Sequence, residues 1–148
     1  MRLYRQKALL FMLVSGIACS SSTGPETVSA FFTLRSIDGR ALPTYIAATP
    51  GPSATVISSS LTLYTTGKAV LIEHRDEMLR GNVTDTTTYA YTIHSNQLEI
   101  HSPSPCLAIE LCPLARAGTI SPFALSLVIN PSSPDPHIVY EYRSVGLD

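Results

Sequence analysis

The sequence predicts an all-β fold, an antiparallel up-and-down barrel of about eight strands or a barrel-like sandwich. Three features of the chain support this prediction. Apolar and polar residues alternate with a period of two, β-branched and aromatic residues fill the alternating segments, and Gly, Pro and Asn turns separate them. No segment shows a helical period. Closure into a barrel is physically favoured because it leaves no exposed strand edge.

The first predicted hairpin begins the domain. Residues 29–37 form a strand, and Asp38-Gly39 follows as a type I′ turn, in which both central residues need positive φ. Residues 41–47 can pair back as a short strand. Pro43 lacks an N–H there, so we expect an edge or a bend at that position.

The second hairpin joins residues 54–65 to residues 68–75. If Thr66-Gly67 is the whole loop, Leu63 faces Val70 and Leu61 faces Ile72, and all four share one face. The charged residues 73–77 then mark the end of the strand, and we predict that this end is solvated.

The third hairpin, residues 87–94 with 97–102, has the clearest pattern. With Ser95-Asn96 as the turn, Ile93 pairs with Leu98 and Tyr91 with Ile100. The opposite face is polar, as expected for a half-solvated antiparallel sheet. It collects Thr92, His94, Gln97, Glu99 and His101.

Three further strands complete the prediction. Residues 114–121 form a weak strand, and residues 123–129 and 137–144 alternate clearly. Loops at 103–113 and 130–136 separate them. The predicted inward residues are Phe32, Leu34, Leu61, Leu63, Val70, Ile72, Tyr91, Ile93, Leu98, Ile100, Phe123, Leu125, Leu127, Tyr140 and Tyr142.

The N-terminal segment is typical of a secretory signal. Arg2, Arg5 and Lys7 precede the apolar residues 8–18, which are too few to span a bilayer because a spanning helix needs roughly 20. The ending Gly16-Ile17-Ala18-Cys19 resembles the lipobox of bacterial lipoproteins, with Gly16 in place of the usual aliphatic residue. An ordinary signal peptide with a chance cysteine is the alternative.

The lipobox resemblance implies a lipid on Cys19 and cleavage before it. We therefore expect a signal peptide at residues 1–18, a lipidated flexible tether at 19–28 and one β domain at 29–148. Membrane anchoring through Cys19 places the domain in the cell envelope. In lipoproteins sorted by the residue after the cysteine, Ser20 points to the outer membrane. Which face of that membrane carries the domain, the periplasm side or the outer side, stays open.

Cys106 and Cys112 remain as an isolated close pair. In an oxidising envelope such a pair is expected to form a disulfide. Two reduced thiols are the alternative, and a zinc site lacks further ligands at suitable spacing.

Charge argues against nucleic acid as a partner. Removal of the signal leaves seven basic and eleven acidic residues, a formal charge of −4, and the mature chain has no basic run. A protein that binds nucleic acid needs a positively charged surface to contact phosphates.

The arrangement of strands and turns resembles that of small lipocalin-like lipoproteins of bacteria. The resemblance rests on residues 32–43 with their Asp-Gly turn and Leu42-Pro43, on Leu61-Thr62-Leu63, on Tyr91-Thr92-Ile93 and on residues 140–143. It implies a barrel in the envelope. Ser95-Asn96 departs from it where a Gly is usual.

No catalytic or cofactor motif is present, so we expect a protein that is not an enzyme and uses no cofactor or metal. His74, His94, His101 and His137 are interpreted as ordinary polar residues. An eight-stranded barrel can hold one small ligand, so the leading hypothesis is an envelope lipoprotein that binds a small apolar ligand. The alternative is a structural or protein-interaction module with a packed core. Oligomeric state stays open.

Cys19→Ser tests the predicted lipid anchor. The variant should lose palmitate labelling and leave the membrane fraction, because each buried methylene of an acyl chain contributes about 0.8 kcal/mol to binding. Labelling and fractionation of intact cells measure both effects. Unchanged labelling and membrane retention would refute the prediction.

The cysteine pair can be tested without a variant. Mass spectrometry of the unreduced mature chain should show a mass about two daltons below the dithiol form, since disulfide formation removes two hydrogens. Reduction before the measurement is the control. Two thiols that alkylate in freshly prepared protein would contradict the disulfide.

Overall fold

The computed structural model describes residues 26–47, 53–101, 116–129 and 137–146. Within these ranges all regular structure is β-strand. Ten strands are formed, and their bounds are β1 Val28–Ile37, β2 Arg40–Ala41, β3 Thr44–Ile46, β4 Ala54–Tyr64, β5 Lys68–Glu77, β6 Gly81–His94, β7 Gln97–His101, β8 Arg116–Ile120, β9 Ala124–Ile129 and β10 Ile138–Ser144. The predicted Cys19 lipid site and the Cys106–Cys112 pair lie outside the described residues.

Eight of these strands close into an antiparallel barrel. The strands β4 to β10 pair in sequence order, and β1 closes the sheet by pairing with both β10 and β4. The short strands β2 and β3 add to β1 and β4 outside this ring. The predicted up-and-down barrel is therefore confirmed, and the sandwich alternative is not the fold observed.

Two predicted turns are confirmed in detail. Asp38 and Gly39 both have positive φ, and Ile37 pairs with Arg40 across them. The hairpin of β6 and β7 pairs Ile93 with Leu98 and Tyr91 with Ile100, in the predicted register. Leu42-Pro43 interrupts the predicted strand 41–47, because β2 ends at Ala41 and β3 begins at Thr44.

The predicted register of the second hairpin is wrong by one residue. Leu61 pairs with Leu71 and Leu63 with Ala69. The cause is a three-residue turn, 65–67, in which Gly67 adopts a φ of 80°. Leu71 and Ala69 therefore face the interior, and Val70 and Ile72 face outward.

The barrel interior is a packed apolar core over most of its length. Ten of the fifteen predicted inward residues are buried: Phe32, Leu34, Leu61, Leu63, Leu98, Ile100, Leu125, Leu127, Tyr140 and Tyr142. Tyr91 packs against them. Phe123 is a further error, because it lies in the turn before β9 and is 79% exposed, and Ile93 is 42% exposed.

The two ends of the barrel differ in their connections. The "turn end" carries the short turns 65–67, 95–96 and 121–123 together with the start of β1. The "loop end" carries the chain between β1 and β4, the turn 78–80, and the connections 102–115 and 130–136. The connections at the turn end are thus all two or three residues long, whereas the loop end has both short turns and longer connections.

Candidate functional site: a charged cluster at the loop end of the barrel

Charged residues occupy the interior where β5 approaches the loop end. Alternation along β5 places Ala69, Leu71, Glu73, Arg75 and Glu77 on one face, and this face points into the barrel. Glu73 and Glu77 are 8% and 2% exposed. The prediction of a solvated strand end is therefore wrong for both residues, because the strand continues to Glu77 and its charged side chains follow the same alternation inward.

Asp85 and Arg116 complete this group, which we call the charged cluster: Glu73, Arg75, Glu77, Asp85 and Arg116. Asp85 pairs with Glu73 across β5 and β6. Arg116 is the first residue of β8 and lies across from Ile100 and Ile129. Sequence analysis did not single out either residue. The one available signal was the alternation of Arg116, Gly118 and Ile120 within the predicted strand.

Arg75 contacts all three carboxylates of the charged cluster. Its Nε lies 3.4 Å from Glu73 Oε1, and its Nη2 lies 3.3 Å from Glu77 Oε1. Nη2 also contacts the carboxylate of Asp85. Arg80 Nη1, on the surface, lies 3.5 Å from Glu77 Oε2. Three carboxylates therefore converge on one guanidinium.

Arg116 has a different environment. Its guanidinium lies over the ring of Tyr140, with Cζ 5.6 Å from the ring centroid. The residue as a whole is partly exposed, but its Nε and Nη1 have essentially no contact with solvent. None of the carboxylates of the described residues forms an ion pair with it. A buried cation is thus left without a direct counter-ion in the described part of the chain.

Several polar atoms in the charged cluster are buried without a hydrogen-bond partner. Among the described residues, these atoms are Glu73 Oε2, Arg75 Nε, Glu77 Oε2, Arg116 Nε and Arg116 Nη1. Each such group costs about 1–3 kcal/mol, and a charged one costs more. Buried polar groups in native proteins normally bind protein atoms, water or a ligand. The charged cluster therefore has unused capacity to bind a polar molecule.

Burial changes the pKa of several groups in and beside the charged cluster. Burial raises the pKa of Glu73 above its ordinary value, and the positive charges of Arg116 and Arg75 offset this only in part. Burial disfavours the charged form of Arg116, but the surrounding Tyr142, Tyr89 and Glu73 raise its pKa overall, so it remains a cation. Burial also raises the pKa of Tyr140 and Tyr142. Both tyrosines are neutral at ordinary pH.

Two neutral tyrosines, Tyr140 and Tyr142, lie near Arg116 in the interior. The rings of Tyr140 and Tyr142 stack with centroids 6.4 Å apart. The Tyr142 hydroxyl lies 3.3 Å from Ser59 Oγ, within hydrogen-bond distance. The interior thus changes from an aliphatic core to phenols and then to the charged cluster toward the loop end.

The polar face predicted for the hairpin of β6 and β7 lies on the outside of the barrel, as expected. Glu99 and His101 are exposed on β7, with His101 Nε2 3.7 Å from Glu99 Oε2. His74, His94 and His137 are also exposed. None of the four histidines belongs to the charged cluster. No group of three or more metal-ligating side chains that could hold an ion occurs within the described ranges.

Two open grooves are formed by the described residues. One, of about 490 Å³, lies at the turn end beside Phe31, Ile120 and Pro122. The other, of about 370 Å³, lies over the outer face of β8 and β9 near His137. The residues that the model describes include no helix long and apolar enough to cross a membrane.

The fold and the site define a small closed antiparallel β-barrel whose interior carries a charged cluster at one end. Comparison of the chain with known protein families, with curated proteins and with solved structures finds no match.

Glu73→Gln tests the protonation of the charged cluster. The pKa of Glu73 is higher in the folded chain than its ordinary 4.5, so the folded state binds this proton more tightly than the unfolded state. Its stabilising effect is complete below that ordinary value and is lost as the pH rises through the folded-state pKa. Relative to the wild type, Glu73→Gln should therefore gain stability as the pH rises from acid to neutral.

Urea unfolding of the mature chain at a series of pH values measures this difference. Glu99→Gln is the matched control, because Glu99 is an exposed glutamate on the outer face of β7. This control reports the effect of removing a glutamate from the outer surface. Parallel stability curves for the wild type and Glu73→Gln would contradict the raised pKa.

Proposed function

We propose that this protein is a lipid-anchored envelope lipoprotein whose barrel binds a small acidic molecule at the charged cluster. The observation that carries the proposal is the buried guanidinium of Arg116, whose Nε and Nη1 have no hydrogen-bond partner among the described residues. A guanidinium presents its N–H groups as a planar fork that matches a carboxylate or a phosphate. An acidic ligand would supply the counter-ion that Arg116 lacks.

The pairing of charges in the charged cluster supports an anion as the ligand of Arg116, although the three carboxylates of the cluster outnumber its two guanidiniums. Glu73, Glu77 and Asp85 already contact Arg75, so the carboxylates have a cationic partner. Arg116 has none in the described part of the chain. The free oxygens of Glu73 and Glu77 would accept hydrogen bonds from hydroxyl or amine groups elsewhere on the same ligand. A small polar acid with hydrogen-bond donors fits both features.

This proposal differs from the apolar ligand expected from sequence. The inward aliphatic residues contact one another as one buried cluster. An apolar guest would need space among these side chains. The unused binding capacity lies in the polar part of the interior, which favours a polar ligand.

Anchoring and location form part of the same proposal. The signal-like residues 1–18 and Cys19 support export and lipidation, and Ser20 supports the outer membrane. The formal charge of −4 on the mature chain argues against nucleic acid as a partner. We propose binding without catalysis, because the charged cluster contains no nucleophile beside a positioned base.

A protein-interaction module is the second candidate. Met78 and Leu79, in the turn between β5 and β6, are 88% and 89% exposed at the loop end. Exposed apolar side chains at a loop tip are a common feature of protein contacts. In that case the charged cluster would be filled by water, and the barrel would act as a rigid support.

Arg116→Met tests the ligand proposal by native mass spectrometry. The mature lipoprotein, purified without denaturation from its own host, should carry a bound acidic molecule. The variant should lose most of it, at least tenfold in occupancy, because a charge-assisted fork contributes roughly 1.5–3 kcal/mol. Arg143→Met is the matched control, since Arg143 is an exposed arginine of β10, and it should retain the ligand.

Folding of the variant must be separated from binding. Arg116→Met removes one of the two cations near Glu73 and leaves Arg75. The double variant Arg116→Met with Glu73→Gln therefore removes a carboxylate together with the guanidinium and keeps the net charge of the charged cluster unchanged. Circular dichroism and thermal unfolding establish that each variant is folded. Repeated recovery of an empty wild type, or a ligand that persists in both folded variants, would overturn the proposal.

A further inference from the structure

The chain enters the barrel at the turn end. Lys68 Nζ lies 2.8 Å from Glu26 Oε2, and the backbone N–H of Thr65 donates to Thr27 O at 3.0 Å. Val28 then pairs with Tyr64 at the start of β1. The first described residues are therefore fixed beside the 65–67 turn, and the predicted tether ends at the turn end.

The distance from Cys19 to the turn end is limited by chain length. Six residues lie between Cys19 and Glu26, so seven residue-to-residue steps join them. At about 3.5 Å per extended residue they span at most roughly 25 Å. A strand of ten residues such as β5 rises about 33 Å along its own axis. A lipid on Cys19 therefore keeps the turn end within roughly 25 Å of the anchor, and this limit does not apply to the loop end.

The turn end also carries an apolar surface that suits a membrane. Phe123 is 79% exposed at the tip of the 121–123 turn. That turn is held in place, because the Ser144 N–H donates to Phe123 O at 2.9 Å. The groove of about 490 Å³ opens beside it, lined in part by Phe31, Ile120 and Pro122.

Charge at the turn end presents no obstacle to contact with lipid. The turns 65–67, 95–96 and 121–123 contain no charged residue. The nearby Lys68 and Glu26 neutralise each other in an ion pair. An exposed aromatic side chain on an uncharged surface is typical of the membrane–water interface, where rings lie at the level of the headgroups.

We infer that the turn end of the barrel lies against the bilayer surface, with Phe123 among the lipid headgroups. The inference rests on the proposed lipid anchor at Cys19. The loop end, with the charged cluster, then faces the aqueous compartment. A ligand reaches the cluster from water and not from the bilayer, which agrees with a small water-soluble acid.

Single tryptophans test this orientation, because the chain contains none. Phe123→Trp places a probe at the turn end. Leu79→Trp is the matched control at the loop end, where Leu79 is 89% exposed. Each lipidated variant is reconstituted on phosphatidylethanolamine–phosphatidylglycerol vesicles that carry brominated acyl chains. Phe123→Trp fluorescence should be quenched at least threefold more than that of Leu79→Trp.

Three results would overturn the inference: equal quenching of both probes, stronger quenching of Leu79→Trp, or no quenching of either. A fourth is shielding of Phe123→Trp from iodide without vesicles, which would assign the groove to contact with a second copy of the chain. Vesicle flotation reports separately on the anchor. If cells do not lipidate the protein, a thiol-reactive lipid coupled to Cys19 of the mature chain allows the same measurement.

Discussion

Closure of the barrel through β1 is the constraint on which the other features depend. β1 pairs with β10 along one side and with β4 along the other, so Phe32 lies between Ser144 and Leu61. A register irregularity accompanies each pairing, between Leu34 and Ser36 and between Val28 and Ala30. Such bulges increase local twist and help a sheet to curve. Without β1, strands β4 and β10 would each be left with an unpaired edge.

Closure also explains why charged residues are buried. In an open sheet, Glu73 and Glu77 could face water at the end of β5. In a closed ring, every second residue must point inward, and β5 is long enough to carry its alternation to Glu77. The inward charges then depend on Arg75 for compensation. Replacing a buried ion pair by well-packed apolar residues is often neutral or stabilising, so we take the buried charges as support for the proposed binding role.

The sequence predicted most of the strands and one register because their patterns are local. The hairpin of β6 and β7 could be predicted because its apolar and polar faces separate cleanly around Ser95-Asn96. The hairpin of β4 and β5 could not, because Thr66-Gly67 fits a two-residue loop as well as the end of a three-residue one. A shift of one residue exchanges the two faces of the strand. The two-residue loop therefore led to the wrong prediction that Val70 and Ile72 face the interior.

The candidate site was missed for a different reason. A dense run of charge in residues 73–77 is most often solvated, and the interior position of Glu73 and Glu77 follows only from how far β5 extends within a closed ring. Arg116 follows a long connection that has no periodic pattern. Its place beside Tyr140 depends on β8 pairing with β9 and on β9 pairing with β10. Such relations arise from tertiary structure and leave no local signal.

Because the ring has an even number of strands, the start of β1 and the charged cluster lie at opposite ends of the barrel. In an eight-stranded up-and-down barrel, the first and last strands are antiparallel neighbours, so the start of β1 and the end of β10 meet at one end. The Val145 N–H accordingly donates to Phe31 O at 3.0 Å. The connections after β1, β5, β7 and β9 must then lie at the opposite end. These include the longer connections of the chain, and loops carried on a rigid scaffold are where recognition residues usually occur. The proposed N-terminal anchor would therefore leave the end with the charged cluster free for the proposed binding, because strand number and chain direction fix both positions.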